Sequence, residues 1–465
     1  MLRPKVYLVG AGPGNAELIT LKGFSLIKQA DVILYDHLID SQLLKAAGAD
    51  AELISVGKSA GKHTLPQDKI NALLLKKAKA GKIVVRLKGG DPYLFGRGAE
   101  EAQACADAGI DFEVVPGVTS ALAGPCYAGI PVTHRDYASS VAIVTGHRKK
   151  GRHIEIPKAG TIIFLMGVSN IEKILGSLLK AGWPKTTKMA AIENASCYNQ
   201  RVITGTLKNF VETVKKEKLR PPAVFVVGRV VTLCKKLNWF EKKPNILVLG
   251  GHPQKYTTFG NIVHKQIIDC VKLKDYSTVD RALKQRLHTF DWIVFTSANG
   301  AKFFFQRLSA CGKDARALGS AKIAAIGQTT ADSLKEFAVL ADMVPENESS
   351  EGLLKEFNRI DMKGKRVLLP QSEIASAELP EGLLKTGAVI EKMAVYKTVE
   401  IDPGEVDFDY IDGMLFTSGS TVRAFVKHFG KVPGDVKVYC LGAATLKEAK
   451  KHNIDAEILA RPYRL

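Results

Sequence analysis

The chain has 465 residues, 46% hydrophobic and 24% charged, with a net charge of +19, which is more than one hydrophobic core organises and predicts two or three globular domains. No apolar run is long enough to cross a bilayer and no secretory leader is expected, since Met1 leads directly into a strand. Seven scattered cysteines without a CxxC pair speak against a metal site or a disulfide framework and for a reducing cytoplasm, while dispersed lysines suit a small polyanion better than nucleic acid.

Residues 5 to 14, KVYLVGAGPG, predict a buried strand entering a glycine loop, and Leu18, Leu21, Phe24 and Ile27 predict one apolar helix face. Asp31 to Asp36, DVILYD, is the next strand. A dinucleotide fingerprint would need a third glycine where Asn15 stands, and Pro13 removes a backbone donor that a phosphate would want. A nicotinamide cofactor is therefore the weaker reading.

The stretch 83 to 101, IVVRLKGGDPYLFGRGAEE, reads as strand, sharp turn and helix. Adjacent glycines at a strand's carboxyl end let a ligand approach bare backbone, and ligands of open α/β sheets bind at such ends. VVPGVTSALAGP (114 to 125) predicts a strand end, a Pro-Gly turn and a small-residue helix. Further strands are expected at 141 to 145, in TIIFLMG (161 to 167), around 188 to 193 and in PPAVFVVGRVV (221 to 231), an α/β region of roughly 240 residues.

The ordered set YLVGAGPG, LYDHLI, VGKSAGKHTLPQDKIN, RLKGGDPYLFGRGAEE, VPGVTSA, IPVTHR, FLMG and PPAVFVVG resembles the uroporphyrinogen-III C-methyltransferases of the tetrapyrrole methylase superfamily, over essentially all of residues 1 to 240. The resemblance implies a two-subdomain methylase fold, S-adenosylmethionine as cofactor with no metal, and a homodimer through this domain. It assigns Asp36 as proton acceptor and Lys58 as proton donor. On the residues alone, Asp36 reads as a capping carboxylate and Lys58 as a solvated lysine. By position it also assigns cofactor contacts to Pro13, Gly89, Gly90, Asp91, Leu94, Thr119, Ser120, Met166, Ala195 and Ala223.

FEKKP, residues 240 to 244, marks a boundary, with 241 to 244 as linker, and NILVLGG (245 to 251) opens a second α/β pattern. This half contains an echo: FTS at 295 to 297 recurs at 416 to 418, and AIGQTTADSL (325 to 334) is matched by CLGAATLKEA (440 to 449). Two similar lobes, and a cleft, are predicted over 245 to 465. FTSANG, IGQTTA, LLPQSEIASAELPEGLLKTGA, VYKT and FTSGS resemble uroporphyrinogen-III synthase, implying its bilobed α/β fold. The resemblance nominates Tyr396 as proton donor to a leaving hydroxyl, and Thr296, Ser297, Thr417 and Ser418 as binders of substrate carboxylates. Departures are Gln371 for an expected arginine, Ala444 for a threonine, and the missing arginine in the stretch 250 to 253.

The two resemblances together imply a bifunctional cytoplasmic enzyme. It would close hydroxymethylbilane to uroporphyrinogen III and methylate it twice to precorrin-2, with neither nucleic acid nor membrane as partner. An RNA-modifying methyltransferase of the same superfamily fused to a binding module, or a methyltransferase with an inactive synthase half, are the alternatives.

Overall fold

Val6–Gly10 (β1) is buried at all five positions, as a strand without alternation requires when both faces are covered. It joins Val32–Tyr35 (β2), Glu52–Ser55 (β3), Val84–Lys88 (β4) and Phe112–Val115 (β5) in a parallel sheet ordered β3-β2-β4-β1-β5. This computed structural model describes residues 5–57, 65–147, 154–251 and 253–459, and the chain divides into two units, Met1–Lys243 and Pro244–Leu465.

The second sheet of unit 1 contains Val141–Thr145 (β6), Thr161–Leu165 (β7), Lys188–Glu193 (β8), Arg201–Thr206 (β9) and Ala223–Val227 (β10), in the order β6-β7-β10-β8-β9. Only β6 and β7 pair in parallel. The small-residue helix Ser120–Tyr127 packs against this sheet: a Cβ on Gly124 would stand 3.3 Å from the Ala195 Cβ and 3.5 Å from Val224. Glycine there lets the helix backbone sit close to the end of β8 and the start of β10.

One local expectation needs correction, and two details go beyond what the sequence showed. Leu21 was expected on the buried face but is 91% exposed, because the helix Leu21–Gln29 begins at it behind its N-cap Thr20 and buries Gly23, Leu26 and Ile27 instead. The strand expected in the stretch 221 to 231 is Ala223–Val227, ended where Gly228 adopts φ +142 and the chain turns into the 3-10 helix Arg229–Leu233. β3 and β9 were not anticipated: each is a sheet edge with polar residues among few apolar ones, so neither offers a continuous run.

Unit 2 starts with Asn245–Val248 (β11) and Asn261–His264 (β12). The chain then builds a whole second sheet, Ile268–Val271 (β13), Trp292–Phe295 (β14), Lys322–Ala325 (β15), Arg366–Ser372 (β16) and Val389–Glu400 (β17), ordered β13-β17-β16-β14-β15. It returns with Gly413–Phe416 (β18), Lys437–Cys440 (β19) and Glu457–Ile458 (β20) to complete β12-β11-β18-β19-β20. One lobe is thus inserted into the other. The echo is structural: β14 and β18 each lead into a Ser-capped helix, β15 and β19 each into a Gly-capped one.

At the boundary, Phe240 is buried and its ring lies 5.0 Å from Tyr127, while the Lys243 amide donates to the Phe240 carbonyl. Pro244 instead accepts from the Asn261 amide at 2.8 Å.

Candidate active site

Four parallel strands, β2, β4, β1 and β5, stand side by side, and their carboxyl ends carry Asp36, the Gly89-Gly90-Asp91 turn, the Gly12-Pro13-Gly14 loop and the loop to Thr119. The glycine loop and the turn are stitched by Gly90 N–H to Gly12 O at 2.7 Å and Ala11 N–H to Lys88 O at 2.8 Å. A Cβ on Gly117 would fall 2.2 Å from the Gly90 carbonyl oxygen and 2.7 Å from the Gly10 Cα, so three backbone segments meet where no side chain fits. Gly90 itself has φ +67. A Cβ on Gly89, by contrast, would meet nothing within 4 Å. The turn therefore presents bare backbone to open space at its outer residue, a cradle suited to a ligand such as S-adenosylmethionine.

Asp91 is held by its own loop and by the loop after β5: one carboxylate oxygen accepts from Tyr93 N–H at 2.9 Å and the other from Gly117 N–H at 3.0 Å. Thr119 caps its helix, accepting from Ala121 N–H, and Ser120 is the first helical residue. Pro13 lies in the loop whose next residues touch the segment around Ala195: Asn15 N–H donates to Ser196 Oγ at 3.2 Å, and a Cβ on Gly14 would stand 3.2 Å from the Ala195 carbonyl. Leu94 packs against the cluster of Ala121, Ile163 and Val224, as does Leu165; Val224 and Leu165 are the chain neighbours of Ala223 and Met166. Met166 has φ +56 and is half exposed, while Ala195 and Ala223 are buried. The loops that carry Pro13, Gly89, Gly90, Asp91, Thr119 and Ser120 thus meet at the glycine turn and Ala195 touches the Pro13 loop, while Met166 and Ala223 adjoin only as chain neighbours of Leu165 and Val224.

Asp36 sits at the end of β2, its side chain one third exposed, and its Oδ1 accepts from Arg86 Nη2 at 2.5 Å. Behind it lies a network that sequence reasoning missed. Arg86 donates through Nε to Glu101 Oε1 at 2.9 Å and through Nη1 to the carbonyls of Leu34 and Leu87. Lys88 Nζ sits between the two Glu101 oxygens, 3.0 Å from Oε1 and 2.9 Å from Oε2, with hydrogen-bonding geometry only to Oε1. Gln67 adds a third donor to Oε1 at 3.1 Å. Burial opposes the Arg86 charge, but Asp36 and Glu101 outweigh it and hold the guanidinium above its ordinary pKa; for Lys88, burial and the neighbouring Arg86 prevail and lower it. Removing one partner from such a buried set costs about 3–5 kcal/mol, because the others stay in the interior uncompensated. The available signal was parity: Arg86 and Lys88 are two apart on one strand, so they share a face whose other tenant, Val84, is core.

Lys58 lies outside the described residues. Gly57 packs against the chain just after Asp36, a Cβ on it falling 2.2 Å from the amide nitrogen of His37.

In unit 2, Tyr396 and Ser297 come together, Oη to Oγ 3.4 Å, and the Tyr396 ring stacks on Phe303 at 5.2 Å. Burial raises the phenol's pKa, the Ser297 contact partly offsetting it, so the group stays a proton donor. Ser297 also caps its helix, accepting from Gly300 N–H, directly after Thr296, the residue that follows β14. In the other lobe, Thr417 packs so tightly that a Cβ on Gly250 would overlap its Oγ1 at 1.9 Å, whereas a Cβ on Gly251 would meet nothing within 4 Å. Ser418 caps the helix Gly419–Phe429. No hydrogen bond among the described residues links the Thr417–Ser418 pair to the Ser297–Tyr396 pair. Nor do three His, Cys, Asp or Glu side chains among the described residues assemble into a group that could hold a metal ion.

The sequence family described as tetrapyrrole (corrin/porphyrin) methylases matches residues 5–211, and that described as uroporphyrinogen-III synthase HemD matches residues 259–465. The porphyrin biosynthesis protein HemD of Ruminiclostridium josui is 36% identical, covering 97% of this chain and 94% of its own length. The uroporphyrinogen-III C-methyltransferase of Priestia megaterium is 52% identical over 49% of this chain and 98% of its own length. A solved uroporphyrin-III C-methyl transferase from Thermus thermophilus, complexed with S-adenyl homocysteine, is 40% identical over 49% of this chain and 93% of its own, with a TM-score of 0.43.

Proposed function

The chain belongs to the porphyrin-biosynthesis family of its full-length relative and joins a tetrapyrrole methylase to a uroporphyrinogen-III synthase, and we propose that unit 2 closes hydroxymethylbilane to uroporphyrinogen III while unit 1 methylates that product twice, to precorrin-2. The observation that carries the reading for unit 1 is the glycine turn open at Gly89 beside Asp36, on adjacent ends of one parallel sheet.

S-Adenosylmethionine supplies an activated methyl group, and transfer is an in-line displacement in which positioning does most of the work. The backbone at Gly89 and Gly90, with Thr119, Ser120 and Ala195 around it, would hold that cofactor. An electron-rich pyrrole carbon takes the methyl, after which the macrocycle must lose a proton. Asp36 is the acceptor: Arg86 occupies Oδ1, and Oδ2 has no partner among the described residues. In unit 2 the cyclisation begins with loss of a hydroxyl, to which Tyr396 donates; its raised pKa keeps the proton available at neutral pH. Hydroxyls and free amides at the Ser297 and Ser418 helix starts receive substrate carboxylates.

The same reading makes unit 1 a homodimer, supported by the exposed apolar side chains Tyr93, Phe95, Val118 and Leu122 around the turn, and places the enzyme in the cytoplasm, where its seven free thiols would persist. No described helix is long and apolar enough to cross a membrane.

The test is transfer of labelled methyl groups from S-adenosylmethionine to uroporphyrinogen III. Two equivalents incorporated per macrocycle support the reading, and no transfer rejects it.

A further inference from the structure

The charges behind Asp36 form an alternating series, Asp36, Arg86, Glu101 and Lys88, with side-chain exposures of 33%, 3%, 0% and 2%. Only the first member reaches outward. We propose that Glu101 is a positioning residue for proton removal: it locks Arg86, and Arg86 in turn pins one oxygen of Asp36 and leaves the other to take the proton. The inference rests on the reading of Asp36 as proton acceptor.

The geometry argues for a device rather than filler. Every arm of the Arg86 guanidinium is committed, Nε to Glu101, Nη1 to two carbonyls of β2 and β4, and Nη2 to Asp36. The planar fork is therefore fixed in rotation as well as position. Glu101 is the hub: three donors from two elements converge on its Oε1, from Arg86 and Lys88 on β4 and from Gln67 at the start of the helix Gln67–Lys79. Stability alone does not call for such a set, because apolar residues of similar volume generally replace buried ion groups without loss. What apolar residues would not supply is a guanidinium aimed at Asp36. Lys88 balances the second charge of the interior, so that Arg86 is held by Glu101 without leaving an uncompensated anion. Gln67 ties the hub to the helix that follows the Lys58 segment, which makes the strand ends of β2 and β4 and that helix one hydrogen-bonded body.

The experiment is a double-mutant cycle in the full chain with Glu101→Gln, Asp36→Asn and both together. Methylation of uroporphyrinogen III is measured at saturating S-adenosylmethionine, alongside calorimetric affinity for S-adenosylhomocysteine. Glu101→Gln is expected to lower kcat about tenfold or more, as loss of alignment does. KM and the S-adenosylhomocysteine Kd should stay within about twofold, so that the loss falls on turnover rather than binding. In the Asp36→Asn background the same substitution should cost nothing further, since there is no base left to align. Equal losses in both backgrounds, a loss shared by kcat and Kd in a chain that melts as the parent does, or an unchanged kcat would each make Glu101 a scaffold residue and overturn the inference. An Asp36→Asn chain with full turnover would instead sink the acceptor assignment, and the inference with it. Should Glu101→Gln lose S-adenosylhomocysteine binding through misfolding, Gln67→Leu removes one neutral donor from the hub and must give a smaller kcat loss that vanishes in the Asp36→Asn background. A Gln67→Leu chain without that pattern overturns the inference.

Discussion

Arg86 and Asp36 meet at the end of β4 and β2, and the consequence for chemistry is a carboxylate with one oxygen engaged and the other without a partner among the described residues. Asp36→Asn keeps the shape and the contact to Arg86 but removes basicity, so methyl transfer should fall by about 10² to 10⁴ while S-adenosylhomocysteine still binds; unchanged turnover would return Asp36 to a structural role. Thiol reactivity offers a separate residue-scale check. Burial pushes Cys105 and Cys197 up to about 11, whereas Cys126 is exposed. Only the thiolate alkylates, so at pH 8 iodoacetamide should label Cys126 first. Cys197 labelling in the native protein should climb only as pH approaches 11; rapid labelling of Cys197 at pH 8 would contradict its packing against Gly14. At this scale the sequence was partly legible. Asp36, Gly89 and Tyr396 could be nominated because motif order fixed them, but Glu101 could not, since its meaning comes from a helix face turned onto β4, a tertiary fact no local spacing encodes.

The element that organises unit 1 is the three-way backbone contact of the loops after β1, β4 and β5. Gly117→Ala and Gly89→Ala differ by a single methyl group yet should behave oppositely. The first forces a Cβ to 2.2 Å from a carbonyl oxygen and should destabilise unit 1 by about 3 kcal/mol or more, overpacking against backbone that cannot yield. The second places its Cβ in open space, so the fold should melt as before while S-adenosylhomocysteine affinity drops at least about tenfold, the cost of a steric intrusion into a ligand cradle. Thermal melts with and without S-adenosylhomocysteine separate the two; a Gly89→Ala chain with undiminished affinity would remove the cofactor from that turn. Strands such as β1, β7 and β10 were readable because they are continuous apolar or nearly apolar runs. The edge strands β3 and β9 were not, and Leu21 was misplaced because helical periodicity alone does not say where the first turn begins.

At the scale of the whole chain, two units meet at Lys243 and Pro244, each side hydrogen-bonded within its own unit. Fragments cut there should each keep their activity. The echo between the FTS motifs revealed two similar lobes in unit 2, yet not that one is inserted into the other, because the inserted lobe begins and ends in ordinary loop sequence. Tethering raises the effective concentration of one site for the other's product only if capture outpaces diffusion. With unlabelled uroporphyrinogen III added, the intact chain should therefore carry labelled bilane to precorrin-2 with less isotope dilution than the mixed fragments; equal dilution would reduce the fusion to co-expression. The central claim, that one chain performs both reactions, is tested most directly by supplying hydroxymethylbilane with and without S-adenosylmethionine and separating products by isomer and methylation state. Uroporphyrinogen III without the cofactor and precorrin-2 with it are predicted; only the uninverted isomer in both arms would contradict the account.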